Sequence, residues 1–183
     1  TSVPRLYEWE WEAREDEITD IRITFTFRGT LVLAFASLMP DDNLGGWRAD
    51  VVEKLKEASP SVVRFPGGCF VSFYNWESSI GDRDTREPQP SFYWGGLEEN
   101  DVGLDEFLHL SRLVGFVPQI CFNMMTSYPF KARQLVEYLN APADVGMGCL
   151  RKQNGHEEPY GVKLFEMDNE PDRKWTASPR SLH

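Results

Sequence analysis

Three stretches with the apolar spacing of a helix alternate with short apolar runs over most of this chain. The helical stretches are residues 47–60 (WRADVVEKLKEASP), 101–114 and 131–140, and the runs of strand length are residues 61–65, 116–122 and 162–165. Gly115 is predicted to end the second helix. This order predicts an α/β fold, in which parallel strands are joined by helical crossovers. Three strands are too few for a closed barrel, so they predict a small open sheet or part of a larger one.

The N-terminal region has a different pattern. Ile21, Ile23, Phe25 and Phe27 alternate with polar residues, which predicts a half-buried strand, and a turn at Gly29-Thr30 leads to a second apolar run at residues 31–35. Two strands cannot bury a core alone. We therefore expect residues 1–40 to hold the last strands of a β-sandwich and residues 41–183 to form the α/β domain.

Composition excludes several classes of partner and cofactor. The net charge of −10 argues against a nucleic-acid partner, and no run approaches the roughly 20 apolar residues of a membrane helix. The three cysteines include no CxxC pair and the three histidines have no metal-ligand spacing, so we expect no zinc site and no cofactor. The chain begins without Met and without a signal peptide, which suggests a processed, truncated or internal segment.

The segment FEMDNEPDRKWT (165–176) is the strongest local signal for a catalytic site. A short apolar strand runs into Asp168, Asn169 and Glu170, and Pro171 stops it. As neighbours along one strand face, Asp168 and Glu170 would lie roughly 6.6 Å apart. Coupled carboxylates in a cleft raise one another's pKa, and a glutamic acid with a raised pKa can act as a general acid. From the pattern alone, a solvated acidic strand end is slightly favoured.

Three further features carry weaker signals. The segment RFPGG (64–68) indicates a tight turn that lets a ligand approach the backbone, although an ordinary structural turn is the better interpretation. Trp94 lies in a loop with few aliphatic neighbours, so the sequence favours a buried and an exposed side chain about equally. Asn123 follows a strand and could point into a site or cap a turn.

Together, these segments resemble glycoside hydrolase family 51, the α-L-arabinofuranosidases. The resemblance covers about residues 38–176 and rests on these successive segments in matching order: VVEKLKEASPSVVRFPGGCFVSFYNWESSIGDRDTRE, NDVGLDEFLHLSRLVGFVPQICFN, LVEYLN and NGHEEPYGVKLFEMDNE. It implies a (β/α)8 TIM barrel of the glycosidase type and a retaining hydrolysis that uses two carboxyl groups. The preceding segment resembles members with a carbohydrate-binding-like β-sandwich ahead of the barrel.

The resemblance also implies roles for individual residues. Glu170 would be the acid/base, and Asn169 would hydrogen-bond the sugar 2-hydroxyl. Arg64 would lie on the barrel floor and orient carboxylates, Cys69 would contact the sugar, and Trp94 would wall the sugar pocket. The family usually has Gly before the Asn-Glu pair, where this chain has Asp168.

The family's nucleophile ends the seventh barrel strand, whereas this sequence stops soon after the strand that resembles the fourth. Strands one and five to eight have no counterpart here, and Glu166 would lie roughly 13 Å along the strand from Glu170, too far for a retaining pair. We therefore expect a partial barrel that holds the acid/base half of the site.

The expected substrate is an arabinose-containing oligo- or polysaccharide such as hemicellulose. Endo-glucanase or xylanase activity and a truncated, non-catalytic carbohydrate-binding module are the alternatives. Exposed strand edges predict self-association or a missing polypeptide segment.

Overall fold

The computed structural model describes residues 5–12, 20, 22–24, 26, 28–33 and 36–171. The chain divides into two compact units, Thr1–Leu38 and Met39–His183. In the first unit, the described residues carry no helix or strand, and the rings of Tyr7 and Trp9 stack. Ile21, Phe25, Phe27 and Phe35 of the expected strands lie outside the described residues, as does the segment after Pro171. The β-sandwich therefore stays a prediction.

The second unit contains four α-helices and five strands among its described residues. In chain order these are α1 (Ala49–Ala58), β1 (Val62–Phe65), β2 (Gln89–Pro90), β3 (Leu97–Glu98), α2 (Leu104–Val114), β4 (Val117–Phe122), α3 (Pro129–Asn140), α4 (Met147–Gln153) and β5 (Leu164–Met167). Short 3-10 helices lie at Gly68–Phe73, Trp76–Ser79 and Arg83–Thr85. None of the helices in this described part has the length and apolar character to cross a bilayer.

The main sheet has the strand order β1-β4-β5, and both pairs are parallel. The prediction of parallel strands with helical crossovers is therefore confirmed. Strands β2 and β3 form a separate antiparallel pair that the sequence analysis did not predict. Helix α4 was not predicted either.

Helix ends follow from local chemistry. Glu106, in the first turn of α2, accepts a hydrogen bond from the backbone N–H of Gly103 at 2.8 Å, which satisfies a donor with no partner inside the helix. Gly115 ends α2 in the left-handed conformation at φ 95°, and this confirms the predicted end of the helix. Pro129 begins α3, where its missing N–H costs nothing.

The two faces of the main sheet differ in chemistry. Strand register places apolar residues on the face that packs against the helices, where Phe65 stacks on Phe107 of α2 at 4.9 Å between ring centroids. The opposite face is polar near the strand ends, where it carries Arg64, Gln119, Cys121 and Glu166, and it carries the exposed Val62, Val117 and Leu164 near the strand starts. The hydrophobic core therefore lies between the sheet and the helices. Its most buried members are Val52, Leu104, Leu108, Ile120, Leu135, Tyr138 and Leu139.

Candidate active site

Polar residues gather at the edge where the three parallel strands end. Strands β1, β4 and β5 end at Phe65, Phe122 and Met167, and their parallel order puts all three ends on one side of the sheet. Sites in α/β folds are built at this edge, because the connecting loops there come from separate strands. The predicted site residues Arg64, Asn123, Asn169 and Glu170 all lie at or next to these ends.

Asn169 joins two segments that are about a hundred residues away in sequence. Its amide oxygen accepts a hydrogen bond from Nη2 of Arg64 at 3.3 Å. Its amide nitrogen lies 3.8 Å from Sγ of Cys69, in the 3-10 helix that follows β1. The structure therefore brings together Arg64, Cys69 and Asn169.

Arg64 also binds Glu166 on the polar face of the sheet. Nη1 of Arg64 lies 2.9 Å from Glu166, and about a third of each of the two side chains is exposed. The other carboxylate oxygen of Glu166 accepts a hydrogen bond from Gln119 at 2.7 Å and lies 3.5 Å from Sγ of Cys121. Burial, with the charge of Glu166 as a smaller cause, raises the pKa of Cys121 to about 12. This thiol is therefore protonated at neutral pH.

Sequence reasoning missed this network around Glu166. The signal in the sequence is the strand period of two, which places Gln119 and Cys121 on the same face of β4. The structure adds the register, in which Cys121 lies opposite Glu166 of β5. From the sequence, Glu166 was weighed only as a nucleophile and was excluded by its distance from Glu170.

The expected geometry of Asp168 and Glu170 is wrong. Strand β5 ends at Met167, and Asp168 and Glu170 both have left-handed backbone conformations, with φ of 60° and 48°. A strand face requires negative φ, so the two carboxylates are not neighbours along one face. The Asp168 residue is only 3% exposed, whereas Glu170 is exposed at the rim.

Asp168 instead binds groups from three segments. One carboxylate oxygen accepts hydrogen bonds from Ser72 Oγ at 2.5 Å and from the backbone N–H of Asn169 at 2.7 Å. The other accepts from the backbone N–H groups of Met124 and Met125 at 3.0 and 3.1 Å. The carboxylate therefore lies within the loops that surround Asn169.

Asn123 caps the turn after β4. Its amide oxygen accepts hydrogen bonds from the backbone N–H groups of Met125 and Thr126, and its amide nitrogen donates to the backbone oxygen of Tyr74 at 3.1 Å. Of the two interpretations of the sequence, the structure shows the cap. A contact between Asn123 and a sugar stays a prediction.

Trp94 lies in the turn between β2 and β3 and is 75% exposed. Its neighbours Phe92 and Tyr93 both pack against Phe73 of the first 3-10 helix, with ring centroids 5.0 and 5.5 Å away. This helix also carries Cys69. The place of Trp94 in a sugar pocket stays a prediction.

The described residues contain no group of three or more His, Cys, Asp or Glu side chains that could hold a metal ion. The groups at the strand ends are carboxylates, amides, the guanidinium of Arg64 and the thiol of Cys69. These groups can transfer protons and hydrogen-bond hydroxyl groups.

Comparisons with known proteins identify the family of this chain. The α-L-arabinofuranosidase 1 domain matches residues 54–178. Among curated relatives, α-L-arabinofuranosidase C of Emericella nidulans is 41% identical over 137 residues, which are 75% of this chain. The intracellular exo-α-(1→5)-L-arabinofuranosidase 1 of Bacillus subtilis is 37% identical over 136 residues, or 74% of the chain. The chain spans about 27% of the length of each of these relatives.

Solved structures give the same result. The α-L-arabinofuranosidase of Thermotoga maritima, solved with arabinose, superposes with a TM-score of 0.66 at 39% identity, over 68% of this chain and 26% of its own. A family 51 α-L-arabinofuranosidase of Bifidobacterium longum superposes with a TM-score of 0.70 at 36% identity, over 74% of this chain and 27% of its own. On the family-model match and these similarities, the chain belongs to the α-L-arabinofuranosidases of glycoside hydrolase family 51.

Proposed function

We propose that this chain supplies the acid/base half of the active site of a retaining α-L-arabinofuranosidase. The observation that carries this proposal is the position of Asn169 and Glu170. The pair follows β5 and Asp168 at the edge where all three parallel strands end, and Arg64 and Cys69 contact the Asn169 side chain. An exposed carboxyl group beside a fixed amide can protonate a leaving group while the amide holds the sugar.

The main sheet is proposed to be part of a (β/α)8 barrel. The sheet is parallel, one face packs against helices, and the opposite face carries the partly exposed pair of Arg64 and Glu166. In a barrel, the face opposite the helices points into the interior, where strands from the other half of the barrel cover it. The exposed Val62, Val117 and Leu164 on this face, which such strands would cover, support that arrangement.

In the proposed reaction, Glu170 first donates its proton to the glycosidic oxygen as the bond to the sugar breaks. It then accepts a proton from the water that releases the sugar from the enzyme. Asn169 hydrogen-bonds the 2-hydroxyl of the sugar, and Arg64 fixes the orientation of Asn169. Cys69, Asn123 and Trp94 are proposed to line the sugar pocket.

A retaining mechanism also requires a nucleophilic carboxylate about 5 Å from the acid/base. Among the described residues, the two nearest carboxylates along the chain have other partners. Glu166 binds Arg64 and Gln119, and Asp168 binds backbone N–H groups within the loops. The nucleophile is therefore proposed to come from a part of the barrel outside these 183 residues.

The proposed substrates are arabinofuranosyl groups of arabinose-containing saccharides such as hemicellulose. Support comes from the relatives, which are named α-L-arabinofuranosidases, and from the Thermotoga maritima enzyme, which was solved with arabinose.

The test measures kcat/KM on dinitrophenyl and methyl α-L-arabinofuranosides for two proteins. One is the 183-residue chain, and the other is a chimera in which residues 54–178 replace the matching segment of the Thermotoga maritima enzyme. Each is compared with its Glu170→Gln variant. Methoxide needs protonation to leave and dinitrophenolate does not, so loss of the acid should cost about 10²- to 10⁴-fold on the methyl substrate and much less on the dinitrophenyl substrate.

Glu158→Gln, a change at another exposed glutamate, is the matched control and should leave both rates unchanged. Equal losses on the two substrates would contradict the acid role of Glu170. An inactive chimera that folds and binds arabinose would favour a non-catalytic carbohydrate-binding module. Hydrolysis of an aryl β-xyloside or β-glucoside in place of the arabinofuranosides would overturn the proposed substrate.

A further inference from the structure

The backbone at Asp168 has the left-handed conformation, with φ of 60°. Glycine adopts this conformation without steric cost, and Asp is among the few other residues that adopt it with any frequency. The side chain is nevertheless buried, with 3% of the residue exposed. An aspartate at a position suited to glycine indicates that its carboxylate contributes something glycine cannot.

The carboxylate connects three segments of the strand-end edge. Ser72 belongs to the 3-10 helix after β1, Met124 and Met125 belong to the loop after β4, and Asn169 follows β5. All four donors lie within 3.1 Å of the carboxylate. Hydrogen bonds from backbone N–H groups to a carboxylate are stronger than those between neutral groups.

These contacts fix the start of the turn that carries Asn169 and Glu170. The N–H of Asn169 is held by the side chain of the preceding residue, and the N–H of Asp168 itself donates to the backbone oxygen of Phe122 at 2.9 Å. The turn is therefore tied to the end of β4 by both the backbone and the side chain of Asp168. A shift of this turn would move Asn169 and Glu170 together.

We infer that Asp168 is a positioning residue, whose buried carboxylate holds the Asn169–Glu170 turn against the loops after β1 and β4. This inference rests on the proposed function, since it assumes that Glu170 is the acid whose position matters. Asp168 acts through the turn and does not touch the sugar.

The first test measures backbone amide hydrogen exchange in the 183-residue chain, with the N–H groups of Met124 and Asn169 as reporters. In Asp168→Gly both should exchange on the order of tenfold faster, because each loses its carboxylate acceptor. In Asp168→Asn only one of the two should exchange faster, because Met124 and Asn169 donate to different carboxylate oxygens and the amide keeps one acceptor oxygen. The N–H of Thr126, which Asn123 holds, is the internal control and should change little.

The second test measures kcat/KM on the methyl and dinitrophenyl arabinofuranosides, in whichever protein of the preceding assay is active. Asp168→Gly should lose about 10- to 100-fold on the methyl substrate, because a misplaced acid cannot reach the leaving oxygen. The dinitrophenyl substrate should lose far less. Asp168→Asn should restore part of the rate. A change that only weakened the fold would lower both rates equally.

Asp82→Gly is the matched control, since Asp82 is an exposed aspartate that caps a turn by accepting from the N–H of Asp84. It should leave exchange at Met124 and the kinetic ratio unchanged. Unaltered exchange at Met124 and Asn169 in Asp168→Gly would overturn the inference. The inference would also be overturned if Asp168→Gly lost kcat/KM equally on the methyl and dinitrophenyl substrates while Glu170→Gln lost more on the methyl substrate. If every form is inactive, the proposed function fails, and the exchange rates alone decide whether Asp168 holds the turn.

Discussion

The guanidinium of Arg64 donates a hydrogen bond to the amide oxygen of Asn169 across 3.3 Å, although the residues are 105 positions apart in sequence. The same guanidinium binds Glu166 through its other terminal nitrogen at 2.9 Å. Arg64 thus links the polar face of the sheet to the turn that carries Glu170. Because guanidinium is a planar fork, it can hold both partners at once.

Arg64→Lys is expected to lower kcat/KM on methyl α-L-arabinofuranoside by about 10- to 100-fold, because a single ammonium cannot hold Glu166 and Asn169 in the same geometry. The melting temperature should change little, since a third of the side chain is exposed. Both variants are made in the chimera, and Arg133→Lys is the control, because Arg133 pairs with Glu137 at 3.0 Å on an exposed part of α3. Equal activity in the two variants would contradict a positioning role for Arg64.

A second prediction concerns the buried pair of Arg86 and Glu106. Both terminal nitrogens of Arg86 bind the carboxylate of Glu106, at 2.8 and 2.9 Å, and only 2% of the Arg86 side chain is exposed. The guanidinium also donates to the backbone oxygens of Gly81 and Asn100. Arg86→Ala should lower the free energy of unfolding by about 3–5 kcal/mol, because Glu106 would be left partly buried without its counter-charge.

Urea unfolding of the 183-residue chain measures this loss. Arg83→Ala is the control, since the Arg83–Asp101 pair is partly exposed and should contribute at most about 1 kcal/mol. Similar losses in both variants would contradict the prediction.

A third prediction concerns pH. Burial raises the pKa of Asp105 above its ordinary 3.8, although hydrogen bonds from Tyr160 and Tyr138 oppose the shift. The folded state therefore binds a proton more readily than the unfolded state, so the stability contributed by Asp105 is greatest at low pH and is lost as pH rises through the folded-state pKa. Asp105→Asn removes this titration.

Thermal unfolding of both proteins between pH 4 and pH 7 tests the prediction. The melting temperature of the wild type minus that of Asp105→Asn should fall as pH increases. A difference that is constant with pH would show that Asp105 has the same pKa in the folded and unfolded states.

Most of the helices and main-sheet strands could be predicted because apolar spacing reports which face of an element is buried. Leu104, Phe107 and Leu108 recur at helical spacing and are all buried in α2. Helix α4 was missed because its seven residues are too few for a clear period. Its main anchor is polar: the buried Arg151 donates to the backbone oxygens of Tyr138, His156 and Glu157.

The site could be predicted only in part. Arg64 and Asn169 come together because parallel strands end at one edge, which element order alone predicts. The left-handed φ at Asp168 was not predicted. The acidic residues Glu166, Asp168 and Glu170 alternate as on one strand face, and this spacing does not show that the strand ends at Met167. The partners of Glu166 depend on strand register, which the spacing of the elements along the chain does not specify.

The last prediction concerns association. Strand order β1-β4-β5 leaves the outer edges of β1 and β5 without a strand partner in the described part of the chain. Apolar residues on these strands are also exposed, including Val62 at 46% and Met167 at 69%. Unpaired edges of this kind pair with other chains. The 183-residue chain should therefore self-associate at micromolar concentration, unless another polypeptide segment covers the edges.

Sedimentation velocity measures this association, and the variant Val62→Lys tests the edge of β1. A lysine on an edge strand opposes pairing, so this variant should shift the population toward the 21.1 kDa monomer. Val51→Lys is the control, since Val51 is 39% exposed on α1, away from any strand edge. A single monomeric species for the unmodified chain at all concentrations would contradict the prediction. An equal shift in both variants would locate the contact away from β1.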